Sequence, residues 1–404
     1  MLYVGIDIAK NKHECCIIDT NGETVVAPFS IHNDIKGFNQ LVQVIKSCAD
    51  EYGIDITADN IRIGAEDTGP YGENLFRFLY EKALPMYTAN SLYVAQYKRT
   101  TTLRKTKTDK LDTLIIASAL RNGNGFKRYT KTDYRLGELK NLTRYRYRII
   151  RQQSKLKIQV RRLIILLFPE LEQYFCRIHI GTVYALLERY PGSEQIAKAR
   201  LETLIETLRA PSKGQYGRDK VIALKDAARH SVGLRSKFTS YELQETIRQI
   251  KQLDGLIMRI DGHIEGIMQD LSPAITSVPG IGKVLAASIT AEIGDYSRFP
   301  DADKLLAFAG LAPTIYQSGG FTATQARIEK RGSKYLRNYL FTAAHTVRQF
   351  NPEYNLYYKK KRAEGKHDHV ALIHTAKRLV RLFYHLETTH TFYEQNYKKV
   401  LTVA

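Results

Sequence analysis

A chain of 404 residues with 44% hydrophobic and 25% charged side chains is long enough for two or three domains with cores of their own, and too balanced to be disordered or fibrous. Its 61 Lys and Arg against 41 Asp and Glu leave a net charge of +20, which points to a polyanionic partner, nucleic acid before membrane. Without an apolar run of the ~18 residues a membrane span needs, without C-x-x-C spacing among Cys15, Cys16, Cys48 and Cys176, and without a secretion-type leader in MLYVGIDIAK, a membrane protein, zinc ribbon or disulfide scaffold is set aside and a cytoplasmic protein is expected.

Residues 2–9 (LYVGIDIA), 13–19 (HECCIID) and 23–31 (ETVVAPFSI) read as three strands, the last two joined by an Asn21-Gly22 turn. A helix is predicted from Asp34 to Asp50, because Phe38, Leu41, Val42 and Ile45 fall on one face. Residues 61–66 (IRIGAE) form a short strand. Gly69-Pro70 opens a helix to about Lys82, 84–88 is another strand, and a helix from Thr108 to Arg121 carries Leu111, Leu114, Ile115 and Ala119 at helical spacing. This order predicts an α/β domain over 1–126, a mixed sheet with helices on its faces, ribonuclease-H-like (RuvC-like) in arrangement.

From Lys127 to Arg162 the composition changes. These 36 residues hold 13 Lys and Arg and two acids, with Tyr129, Tyr134, Tyr145 and Tyr147 interleaved and an apolar stripe from Leu139 to Val160. The pattern predicts a long basic amphipathic helix ending before Pro169. With the mostly helical 183–271 it makes a helical, coiled-coil-like arm over 127–271. The third region, 272–404, is expected to be mostly helical. It contains VPGIGK, a Ser/Gly loop at 317–320, the basic loop EKRGSK and two C-terminal helices.

Four acids carry the chemistry. Asp7 interrupts an apolar strand, where an unpaired charge is costly. Glu66 ends another apolar strand, with Asp67 as its competitor. Asp109 and Asp112, three apart in KTDKLDT, project from one helical face. In a ribonuclease-H-like sheet the first strand lies beside the fourth and the last helix packs near both, so the four carboxylates would converge. Such a set suits Mg²⁺, a hard cation that prefers oxygen ligands, and two such ions can clamp both oxygens of a phosphodiester displacement.

Basic residues supply candidates for phosphate contact. Arg99, Arg104, Lys105 and Lys107 precede Asp109, and Arg144, Arg146, Arg148 and Arg151 lie on the basic helix, where tyrosines could stack on bases. Val278-Pro279-Gly280-Ile281-Gly282 followed by Lys283 is similar to a helix-hairpin-helix turn, whose glycines and exposed amides can hold a phosphate. Lys330 and Arg331 add a further basic loop. Ser318 in Gln317-Ser318-Gly319-Gly320 can present a free hydroxyl, while Ser333 is a second serine in that basic loop.

The segments GIDIAK, AEDTGPYG and KTDKLDT resemble the DEDD domain of the insertion-sequence 110 family of transposases, relatives of the Piv and MooV DNA invertases. The stretch from VPGIGKVLAASITAEIGDYSRF through LLAFAGLAPTIYQSGG to KRGSKYLRNYLFTAA resembles that family's C-terminal domain, with Ser333 where the family usually has Asn. The resemblance implies a DNA recombinase that uses Asp7, Glu66, Asp109 and Asp112 as its DEDD acids and Ser318 as the nucleophile of a covalent phosphoserine link. It implies an RNA guide (bridge RNA) pairing with donor and target DNA. It also implies a homo-oligomer, a dimer of dimers, with active sites built from the acidic domain of one subunit and the serine domain of another. The rival expectations are a Holliday-junction-type endonuclease using water as nucleophile, and a nucleic-acid-binding protein whose acids are vestigial.

Overall fold

The computed structural model describes residues 1–67, 71–89, 91–101, 109–123, 125–212, 214–313, 317–318, 321–322, 328, 330 and 332–394. The chain divides into two compact units, Met1–Arg135 and Leu136–Ala404.

The first unit is a six-stranded mixed sheet with helices. Strands β1 (Leu2–Asp7), β2 (Lys12–Ile18) and β3 (Thr24–His32) form an antiparallel meander; β4 (Ile61–Glu66) runs parallel to β1, β5 (Met86–Ala89) parallel to β4, and β6 (Phe126–Arg128) antiparallel to β5. The order across the sheet is β3-β2-β1-β4-β5-β6, so the first strand lies beside the fourth. The β2–β3 turn follows from its residues: Gly22 has φ +89°, and the Asp19 carboxylate accepts from the amides of Asn21 and Glu23.

Side chains alternate between the two faces of these strands. Leu2, Val4, Ile6, Cys15, Ile17, Ile61 and Ile63 join a core with α1 (Ile35–Glu51) and α2 (Glu73–Glu81). Tyr3, Cys16 and Ile18 meet Ala117 and Leu120 of α4 (Asp109–Arg121) on the opposite face. Two elements differ from expectation. An extra helix, α3 (Ser91–Thr101), precedes α4, and β6 takes Lys127 and Arg128, which the sequence pattern assigned to the basic helix. The expected Gly69-Pro70 helix start lies outside the described residues, and α2 begins at Glu73.

The second unit is helical apart from one short hairpin among its described residues. Helix α5 (Lys131–Leu167) spans the boundary between the units and pairs antiparallel with α10 (Lys237–Leu271): Arg146 meets Asp261, Gln153 meets Asp254 and Gln159 meets Glu242. The C-terminal half of α5 and the N-terminal half of α10 share a core with α6 (Gly181–Arg189), α7 (Ser193–Lys198), α8 (Leu201–Ser212) and α9 (Arg218–Arg229). Their opposite ends share another with α11 (Lys283–Ile293), α12 (Ala302–Phe308), α13 (Lys334–Phe350), α14 (Pro352–Ala363) and α15 (Asp368–Thr389). Of the segment expected as a Ser/Gly loop, Gln317–Ser318 forms β7, which pairs antiparallel with β8 (Phe321–Thr322), Ser318 opposite Phe321; residues 319 and 320 lie outside the described residues. No helix of the described residues is long and apolar enough to cross a membrane.

Candidate acidic active site

Two glycines build this site by what they lack. A Cβ on Gly5 would stand 2.3 Å from the carbonyl oxygen of Thr113, and one on Gly64 would stand 2.8 Å from Leu120 Cδ2. With hydrogen in both places, α4 lies directly on β1 and β4. The same parity that turns Gly5 and Gly64 towards α4 turns Asp7 and Glu66 that way, two residues further along each strand. The parallel register pairs Ile6 with Ala65, so Asp7 and Glu66 come next to each other at the ends of neighbouring strands.

Helix α4 begins at Asp109, on the face one turn before Thr113. The side chain of Asp109 lies outside the described residues. Asp112 accepts an ion pair from Lys98 of α3. Asp67 is exposed past the end of β4, its amide donating to the Ala89 carbonyl, so Glu66 rather than Asp67 belongs to the α4 face.

The electrostatics record crowding of like charge. Burial raises the Glu66 carboxyl above its ordinary value, and the charges of Asp7 and Asp112 raise it further, while a Ser91 hydrogen bond and the Lys98 ammonium act in the opposite direction. Carboxylate oxygens that repel one another are hard donors of the kind a divalent cation takes, so Asp7, Glu66 and Asp112 fit such an ion chemically. Among the described residues no three His, Cys, Asp or Glu side chains stand within one ligand shell. Among the described residues Lys98, not a candidate from the sequence, pairs with Asp112, whereas its neighbour Arg99 is exposed. Arg104, Lys105 and Lys107 lie outside the described residues.

In the second unit the basic helix divides by partner. Arg144, expected on a nucleic-acid face, instead makes a two-point ion pair with the buried Glu292 of α11, at 2.5 and 3.0 Å, and lies over the Tyr335 ring. Arg146 likewise pairs with Asp261 of α10. Both guanidinium groups thus make their hydrogen bonds within the unit while staying partly exposed. Arg148 and Arg151 are exposed, Arg148 above the Tyr145 ring. Tyr147 is half-buried and packs edge-on against Tyr335 and Tyr339.

Gly280 has φ +95°, and a Cβ there would stand 2.8 Å from the Val347 Cα, so glycine is required on two counts. Gly282 is the N-terminal cap of α11, with Lys283 exposed at its first position. Lys330 is exposed, and Arg331 lies outside the described residues. Ser333 is committed: its hydroxyl donates to Glu292 at 2.7 Å and accepts from the Leu336 amide as the cap of α13. Ser318 lies on β7, and its side chain is outside the described residues.

Residues 4–169 match a family model described as a transposase, of the DEDD IS110 type, and residues 272–359 match one described as the transposase IS116/IS110/IS902 family. The IS117 mini-circle protein of Streptomyces coelicolor is 26% identical over 98% of this chain and 96% of its own length. The 43.6 kDa protein of insertion element IS110 from the same organism is 28% identical over 71% of this chain and 72% of its own. The pilin gene-inverting protein of Moraxella bovis is 26% identical over 95% of this chain and 94% of its own. With both family regions present in order and such relatives along nearly its whole length, the chain belongs to the IS110 family of transposases, enzymes of DNA cleavage and strand transfer.

Proposed function

We propose that this transposase is an RNA-guided DNA recombinase that holds Mg²⁺ on Asp7, Glu66, Asp109 and Asp112 of a ribonuclease-H-like domain and attacks DNA with Ser318. The observation that carries the reading is the juxtaposition of Asp7 and Glu66 at adjacent strand ends beneath the first turns of α4, with Asp112 close enough to raise the Glu66 carboxyl. A divalent cation bound there supplies positive charge against the non-bridging oxygens of a phosphodiester.

In the proposed chemistry the Ser318 hydroxyl loses its proton as its oxygen forms a bond to phosphorus. The bond from phosphorus to a deoxyribose oxygen breaks, and that oxygen takes up a proton. Reversal by the hydroxyl of a different strand releases the serine and joins the exchanged ends. One phosphodiester is traded for another, so no energy-rich cofactor is needed. The functional division is an acidic domain over 1–126, a helical arm over 127–271 and a serine domain over 272–404, working as a dimer of dimers in the bacterial cytoplasm. Exposed Arg148, Arg151, Lys283 and Lys330, within a net charge of +20, suit contact with donor DNA, target DNA and the guide RNA. That a relative is a pilin gene-inverting protein supports a role in rearranging DNA.

The test incubates the full-length chain with Mg²⁺, donor and target DNA, and RNA transcribed from sequence flanking the gene. A covalent protein–DNA adduct is expected on a denaturing gel. It is absent for Ser318→Ala, and all cleavage is absent for Asp7→Asn. Cleavage without an adduct, undiminished in Ser318→Ala, would establish water as the nucleophile.

A further inference from the structure

Glu14 lies one strand away from the acids described above. The antiparallel register places it directly opposite Asp7, and the pairing with β3 places it opposite Ser30. Directly opposed residues of an antiparallel pair share a face of the sheet. Glu14 therefore belongs to the α4 face, with Cys16 and Ile18 of its own strand. Glu14, Asp7 and Glu66 form a row of carboxylates across β2, β1 and β4, under the helix that starts with Asp109.

The environment of Glu14 is unusual for an acid. Its side chain is 6% exposed, and both of its hydrogen bonds go to one oxygen: the Ser30 hydroxyl and the Lys12 ammonium donate to Oε1. The other oxygen, Oε2, is buried and has no hydrogen-bond partner among the described residues. Burial works against its charge, but the bonds from Ser30 and Lys12 and the charges of Lys12 and Lys110 outweigh it and hold the carboxyl below its ordinary range. Lys110 is the second residue of α4, so Glu14 lies within electrostatic reach of the turn that carries Asp109. A buried carboxylate oxygen without a donor carries a desolvation cost that native structures rarely leave uncompensated.

We propose that Glu14 is a fifth carboxylate of this site, whose Oε2 accepts a hydrogen bond from water on the cation held by its neighbours. The inference rests on the metal-binding reading given above. Neighbouring strands lie about 5 Å apart, which sets Glu14 one strand further from the cation than Asp7, a place for a group that acts through water on the ion and not by direct contact. Small divalent cations such as Mg²⁺ keep part of their water shell, and groups that hold such waters tune affinity without touching the ion. Ser30, on the strand away from Asp7, and Lys12 both fix the carboxylate through Oε1, which leaves Oε2 without a donor among the described residues.

The experiment measures Mn²⁺ binding to the full-length chain by electron paramagnetic resonance titration, with Mn²⁺ as the probe, beside thermal unfolding in EDTA. Glu14→Gln keeps the shape and removes the charge. Its Mn²⁺ dissociation constant is expected to rise roughly ten-fold, with the unfolding midpoint in EDTA unchanged. Glu14→Asp, which keeps the charge but shortens its reach, is expected to fall between the two. Asp7→Asn is the reference and is expected to lose binding. Loss of binding in Asp7→Asn with unchanged affinity in both Glu14 variants overturns the role of Glu14 alone. A lower EDTA midpoint at unchanged Mn²⁺ affinity assigns Glu14 a purely structural role and overturns it too. Full Mn²⁺ affinity in Asp7→Asn overturns the metal-binding reading itself, and the inference falls with it.

Discussion

Gly5 and Thr113 approach so closely that a single methyl group on Gly5 would lie 2.3 Å from the Thr113 carbonyl oxygen and 2.7 Å from the Ala117 amide nitrogen. Both atoms are backbone in the middle of α4, where neither can turn aside. The seating of the acidic helix on the sheet is thus set by a missing side chain, and the placement of Asp112 relative to Asp7 and Glu66 depends on it.

Gly5→Ala is expected to push α4 off β1 and to destabilise the chain by roughly 1–3 kcal/mol, the usual cost of overpacking. Chemical denaturation measures that loss. Mn²⁺ affinity should fall along with it, because Asp109 and Asp112 ride on the displaced helix. A Gly5→Ala chain with unaltered stability and affinity would contradict the close contact.

Glu66 predicts a pH dependence. Its folded-state proton affinity is raised, first by burial and then by Asp7 and Asp112, above the ordinary value of 4.5. Between the unfolded and folded values the native state binds more protons than the unfolded one. Stability from this group is therefore present at low pH and lost as pH rises through the folded value. In EDTA, the unfolding free energy of the unmodified chain minus that of Glu66→Gln should decline as pH rises from 4.5 towards neutrality, and Mg²⁺ should reduce the decline. A difference that does not vary with pH would refute the shift.

The Arg144–Glu292–Ser333 group predicts which changes harm folding and which harm chemistry. The Glu292 side chain is 1% exposed. Arg144→Ala leaves that carboxylate buried with Ser333 as its remaining donor here, at a cost of about 3 kcal/mol or more. Ser333→Ala removes a helix cap and one donor, for about 1–2 kcal/mol. Ser333→Ala should still form the covalent DNA adduct once folded, and Ser318→Ala should not. An adduct lost only in Ser333→Ala would reverse the assignment of the two serines.

The basic helix predicts a split in salt dependence. Arg148→Ala and Arg151→Ala should leave the melting temperature unchanged. Each should flatten the slope of log affinity for nucleic acid against log salt by about one, as for a lost phosphate contact. Arg146→Ala, which breaks the pair with Asp261, should lower the melting temperature and leave that slope in place. Fluorescence anisotropy at several salt concentrations separates the two outcomes.

Much of the first unit was legible in the amino-acid order. Alternating apolar residues marked β1 to β4, and Phe38, Leu41 and Ile45 marked α1 by helical spacing. The acids stood out because a charge inside an apolar strand is costly. Helix α3 was not legible: SLYVAQYKRTT has no strong apolar stripe, and its packing comes from Val94 against Ala89, Ile115 and Ile116. Strand β6 is three residues long, too short for any period to register, and exists because β5 offers it an edge.

Local order alone, then, pointed to most elements of the first unit, singled out the candidate acids, and indicated a nucleic-acid partner and the family, since periodicity, charge and short motifs are properties of neighbours in the chain. Tertiary structure decided which residue each charge answers to. It gave Lys98 rather than Arg99 to Asp112, bound Ser333 and Arg144 to Glu292, and aligned Glu14 with Asp7. Arg144 and Glu292 are 148 positions apart. An ion pair over that distance is made by the packing of helices, and no local pattern encodes it.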